Sequence, residues 1–80
     1  MVDFKKFNEK FGAEYSFLYD NDDNVAGYDE AVDAFDEMVS NSDAFKKFVG
    51  EFVNWRKDFI SSDREAAAFM FACESFGILG

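Results

Sequence analysis

The sequence predicts a mainly helical domain, a small bundle of about four helices, and three observations predict it. Apolar residues recur at helical spacing along most of the chain, and proline is absent from all 80 positions. Twelve Phe, three Tyr and one Trp supply aromatic bulk. Average usage would place about four prolines in this length, and helix interiors exclude proline because it lacks the N–H donor and clashes with the preceding turn. The rings matter because a single domain of this size usually needs a staple. One cysteine leaves no intrachain disulfide, and the lack of histidine removes the commonest zinc ligand. Each aromatic ring can instead bury about 150–250 Å².

The first segment, Val2 to Phe11, carries Phe4, Phe7 and Phe11 at i, i+3, i+7, with Lys5, Lys6, Glu9 and Lys10 elsewhere. That is an amphipathic helix. Asp3 stands near its N-terminus, where negative charge is favoured, and Gly12 is a candidate stop. Beyond Gly12 two readings stand side by side. Tyr15 and Leu18 continue the helical stripe, yet Tyr15 to Tyr19 has strand composition and Asn21-Asp22-Asp23-Asn24 is turn chemistry. A short β-hairpin over residues 15–28 is therefore the alternative to more helix.

The second helix runs from about Tyr28 to Val39. At about 100° per residue, Tyr28, Ala31, Val32, Phe35, Met38 and Val39 share one face. Asp29, Glu30, Asp33, Asp36 and Glu37 fall within an arc of about 120° on the other. Ser40-Asn41-Ser42 breaks this helix and supplies a cap for the next. The third, about Asp43 to Ile60, shows a wide apolar face of Phe45, Phe48, Val49, Phe52, Val53, Trp55, Phe59 and Ile60. Arg56 falls inside that apolar arc and reads as a snorkelling side chain ahead of the alternative, a buried ion pair. The fourth opens on Ser62-Asp63-Arg64-Glu65, a capping-box pattern. It continues Ala66 to Cys73 apolar all round, as a central buried helix does. Gly77 suits a left-handed cap, with Ile78 folding back in the Schellman manner. Phe35, Phe48, Phe52, Phe69 and Cys73 are expected in one core. Phe4-Lys5-Lys6-Phe7 recurs as Phe45-Lys46-Lys47-Phe48, which reads as chance repetition in a Phe- and Lys-containing helix pattern rather than duplication.

No leader or spanning segment is legible. Asp3, Lys5, Lys6, Glu9 and Lys10 interrupt the first stretch. The longest uncharged run, Ala66 to Cys73, is far short of the roughly 20 residues that cross a bilayer. With its lone cysteine, the chain is expected in the cytoplasm.

Charge is the most informative feature. The net is −9, and it is uneven. From Phe11 to Phe45 there are ten acids and no Lys or Arg, whereas the rest of the chain is nearly balanced. Direct binding to nucleic acid or to an anionic membrane needs the opposite sign.

The catalytic inventory is thin. Without histidine no Ser-His or Cys-His pair can form, and Cys73 on an apolar helix reads as a core thiol. No phosphate loop or CxxC is present, so neither an enzyme nor a cofactor is expected. Calcium is the sharper temptation. Asp20, Asp22 and Asn24 match positions 1, 3 and 5 of an EF-hand loop, but Val25 stands where Gly is needed and Ala31 where the bidentate Glu belongs. A polar turn is the better account, and no metal is expected.

The acidic arc remains. Five carboxylates between Asp29 and Glu37 span about 12 Å of helix axis. That is one charge per ~3 Å, close to the ~3.4 Å spacing of phosphates on one DNA strand. Surface helices ordinarily intersperse Lys with Glu, and this one does not. The arc therefore reads either as a solvated face or as a partner-binding surface, which Asp20, Asp22 and Asp23 would extend. In profile (short, acidic, without catalytic groups) the chain resembles the small inhibitors that phages and mobile elements deploy against host nucleic-acid machinery, anti-CRISPR proteins and other DNA mimics among them. The resemblance is of type and carries over no residues. It implies a basic nucleic-acid-binding protein, such as a defence nuclease, as partner, and the host-cell cytoplasm as the place of action. The runner-up is a helical interaction or assembly module, with a homodimer as one form of it, working through exposed aromatics such as Phe71 or Tyr19. A calcium-binding domain comes third.

Overall fold

The computed structural model describes residues 2–20 and 26–78, with residues 13–17, 19 and 20 described through the backbone alone. Four helices make up the fold: α1 (Phe4–Asp20), α2 (Tyr28–Asn41), α3 (Asp43–Arg56) and α4 (Asp63–Ser75). No strand occurs among the described residues.

Of the hairpin expected over 15–28, the first strand does not form. Residues 15–20 continue α1, Tyr28 opens α2, and residues 21–25 lie outside the described part. The helical stripe wins over local strand composition because Leu18 belongs to it. Leu18 is buried with Phe7 and Phe11 in the common core. Its carbonyl, one of those a helix end leaves unpaired, accepts a hydrogen bond from the Arg64 guanidinium. A cation there also suits the helix dipole. Gly12 does not stop the helix. It sits exposed in the middle of α1, a position where glycine is tolerated at a cost of about 1 kcal/mol against alanine. At the other end, Asp3 Oδ1 accepts from the backbone N–H groups of Lys5 and Lys6, at 3.0 and 3.3 Å.

Gly27, in the left-handed region at φ 82°, turns the chain into α2. A single extended residue, Ser42, separates α2 from α3. Its N–H donates to the Met38 carbonyl and its Oγ accepts from the Phe45 N–H at 3.2 Å, so it closes one helix and caps the next.

α3 ends at Arg56, not at Ile60. Lys57 adopts a left-handed conformation (φ 63°), and the Asp58 carboxylate accepts from the Phe59 N–H at 2.8 Å. Phe59 thereby leaves the apolar face and is 74% exposed. The Arg56 side chain does not snorkel either. It is only 14% exposed and pairs with the equally enclosed Glu65 at 2.8 Å, while also donating to the Phe59 carbonyl. Its guanidinium carbon lies 5.1 Å from the Phe11 ring centre and 5.7 Å from that of Phe52, in cation–π range.

Ser62 Oγ caps α4 by accepting from the Glu65 N–H at 3.1 Å. The capping box is half made, since the Glu65 carboxylate is engaged by Arg56 instead. The C-terminus of α4 follows expectation: Gly77 is left-handed at φ 68°, and the Ile78 N–H reaches back to the Cys73 carbonyl. Ala66 to Met70, Ala72 and Cys73 are all buried, which makes α4 the central element against which α1 and α2 pack. Phe69 lies at the middle, its ring within van der Waals reach of rings from every other helix. The five expected core residues do share one core, with Phe35 and Phe48 half-buried at its margin. The repeated Phe-Lys-Lys-Phe motif occupies unlike environments: Phe7 is buried and Phe4 half-buried, whereas Phe45 is buried and Phe48 half-buried.

Candidate functional site

α2 positions the acidic face, and packing orients it. Ala31 is buried, and Val32, Phe35, Met38 and Val39 pack against the core from the same side of the helix. That fixes the rotation of α2 about its axis, so Asp29, Glu30, Asp33, Asp36 and Glu37 all point away from the core and are exposed. The structure thus brings five of the eight predicted site residues onto one face. Asp20 is the last residue of α1, described by its backbone only, and Asp22 and Asp23 lie outside the described residues.

Among the described residues, none of the five carboxylates of this face has an ion-pair partner, whereas Arg56 pairs with Asp58 and Glu65 away from it. Asp29 and Glu30 stand in the first turn, where the helix dipole favours them. Asp36 and Glu37 stand further along, and no cation occupies the last turn. Within the arc, Asp29–Asp33 and Asp33–Glu37 are like-charged at i, i+4, and Glu30–Asp33 and Asp33–Asp36 at i, i+3. Each such pair costs a few tenths of a kcal/mol. These like-charge contacts work against the helix, the dipole at the first turn offsets them at Asp29 and Glu30, and no ion pair offsets them among the described residues.

Of the EF-hand-like stretch from Asp20 to Ala31, residues 21–25 lie outside the described part, and Ala31 is buried. The position that would hold a bidentate carboxylate carries a methyl group packed into the core. Among the described residues, no group of three or more Cys, Asp or Glu side chains converges as a metal ion would require. Cys73 is fully buried, and burial pushes its thiol from 9.0 up to about 12, so it holds its proton at neutral pH.

Two features lay beyond sequence reasoning. The first is a groove of about 510 Å³ between the start of α2 and the end of α4, floored by Ala31, Ala34, Met70 and Phe71 and flanked by Glu30 and Glu74. Phe71, expected to be exposed, is half-buried here and packs on the core; nothing is described of the Tyr19 side chain. Glu30 and Glu74 are 44 positions apart, so only an acid in the unneutralised last turn of α4 could have hinted at the pairing. The second is a set of exposed aromatics, Trp55, Phe59 and Phe76. Trp55 stacks on Phe52, and Phe76 lies 5.5 Å from Phe7.

Comparison with known proteins finds no matching family model, no matching curated protein and no matching solved structure. Among the described residues, no helix is long and apolar enough to cross a membrane.

Proposed function

We propose that this protein is a small, non-enzymatic, acidic inhibitor that occupies the basic nucleic-acid-binding groove of a host defence nuclease or another DNA-binding protein. It would act as DNA mimics and anti-CRISPR proteins do, and its source would be a phage or mobile element. One observation carries the reading: five exposed carboxylates on one face of α2, none neutralised by a base among the described residues. Phosphate-binding Lys and Arg would meet charge at close to the strand spacing they are built for. Long-range attraction would steer the encounter and make it sensitive to salt.

The test is charge reversal. Asp29, Asp33, Asp36 and Glu37 are replaced together by Lys, which is a good helix former and leaves the apolar face of α2 untouched. Native and reversed proteins are then used as bait in a host lysate at low and high salt. The native protein should retain a DNA- or RNA-binding protein and compete with nucleic acid for it, and the reversed one should not. A reversed variant that stays folded and holds the same partner at full affinity would reduce the arc to a solvated face.

A second reading has its own observation. Trp55, Phe59 and Phe76 leave aromatic surface exposed, as an assembly module would. Sedimentation giving a dimer that Trp55→Ser dissolves would favour it.

A further inference from the structure

The geometry points to the groove between α2 and α4 as the docking site for an apolar side chain on a cationic amphipathic helix of the partner. This deepens the acidic-inhibitor reading and rests on it. A pure strand mimic needs only charge at the right spacing. Here the charged face runs into a concave apolar surface, and Glu30 belongs to both: it is one of the five carboxylates of the arc and also a wall of the groove. Its apolar lining comes from Ala31 and Ala34 of α2, from Met70 and Phe71 of α4, and from Ala26 and Gly27 just before α2. Small residues on one side and a thioether and a ring on the other leave room for an incoming side chain. The volume of about 510 Å³ exceeds what one Leu or Phe side chain fills.

The rim chooses the sign of the occupant. Glu30 and Glu74 stand on opposite helices, both exposed, and no base is paired with either among the described residues. Glu74 lies in the last turn of α4, where the helix dipole disfavours a carboxylate. A ligand with an apolar centre and cations on both flanks satisfies every group, and an amphipathic Lys- or Arg-bearing helix has that form. An acidic or uncharged apolar segment would leave both carboxylates beside it without a partner. Such a contact would add a part of the affinity that persists at high salt, because apolar burial is not screened.

The probe is a synthetic helical peptide of Leu and Lys with Leu at i, i+3, i+4 and i+7, titrated into the full chain and followed by NMR. Two comparison peptides are used: one of identical composition in scrambled order, and one with every Leu replaced by Ser. The amphipathic peptide should shift the signals of Ala34, Met70 and Phe71 and bind at least tenfold more tightly than either comparison. Ala34→Phe, which fills the groove, should abolish that advantage. Because added bulk could disturb α2, Glu74→Gln is the second variant. It alters only an exposed side chain and should weaken the amphipathic peptide several-fold while leaving the helical circular dichroism unchanged. If the Ser peptide binds equally well with shifts confined to Asp29, Asp33 and Asp36, the groove inference falls and the acidic-face reading stands. Shifts centred on Trp55, Phe59 and Phe76 would overturn the groove in favour of the aromatic surface. Absence of binding by any peptide would also overturn it, whereas the charge-reversal test of the acidic face stands apart from this outcome.

Discussion

Phe69→Ala is expected to bring the domain to the edge of unfolding, and the structure sets the size of the effect. The Phe69 ring is fully buried, with ring centres from α1, α2 and α3 around it: Phe7 at 5.2 Å, Phe52 at 5.5 Å, Phe48 at 5.7 Å, Phe35 at 5.8 Å, Phe45 at 5.9 Å and Phe11 at 6.3 Å. Losing a buried Phe side chain and leaving its cavity costs about 3–5 kcal/mol. Edge-on ring contacts add to area burial, and a site tied to all three other helices collapses poorly, so the upper part of that range applies. A domain of this length is stable by roughly 4–12 kcal/mol, so the loss takes between a third and all of it. Urea unfolding followed by far-ultraviolet circular dichroism measures this, with two companions. Phe69→Leu keeps most of the volume and should lose on the order of 1 kcal/mol. Phe59→Ala, at a ring that is 74% exposed, should stay within about 0.5 kcal/mol of the native protein. If Phe69→Ala costs less than ~2 kcal/mol, or no more than Phe59→Ala, the placement of Phe69 at the centre of the core is wrong.

Other outcomes follow from the same structure. Gly12→Ala and Gly50→Ala each place a methyl group where no heavy atom lies within 4 Å, in the interior of an exposed helix face. Each should raise stability by about 0.5–1 kcal/mol and the melting temperature by several degrees. Moderate salt should raise the melting temperature of the native protein, since a Debye length of ~8 Å at physiological ionic strength leaves the arc on α2 partly unscreened; a flat or falling response would mean that these carboxylates are paired. Cys73 should resist thiol reagents at pH 8 until the protein unfolds. Because burial raises its pKa, the native state keeps a proton that the unfolded chain loses. Its contribution to stability is therefore constant below about pH 8 and is lost as pH rises from 9.0 toward about 12, with a slope approaching 1.4 kcal/mol per pH unit. Cys73→Ala should show a shallower decline over that range.

Much of this fold was written in short-range pattern. The apolar spacing of α2, α3 and α4, the Ser42 and Ser62 caps and the left-handed Gly77 are local devices whose partners lie within a turn or two. Residues so close meet whatever the rest of the chain does. The apolar run from Ala66 to Cys73 likewise had to be central, because no face of it could be left to water. The charge of the arc was equally legible, since a helix of known period places Asp29, Glu30, Asp33, Asp36 and Glu37 together without reference to any neighbour.

Tertiary structure decided the rest. Tyr15 to Tyr19 has strand composition, and it is helical because Leu18 finds the core and Arg64, 46 positions away, meets its carbonyl. Arg56 is enclosed because Glu65 from α4 and the Phe11 ring from α1 converge on it beside Phe52 of its own helix. Glu74 joins Glu30 at one groove only because α2 packs across the end of α4. In each case the deciding contact joins different helices, and its energy exists only once those helices have packed. Local pattern sets which faces are apolar and which are charged; the packing of four helices sets which distant groups meet.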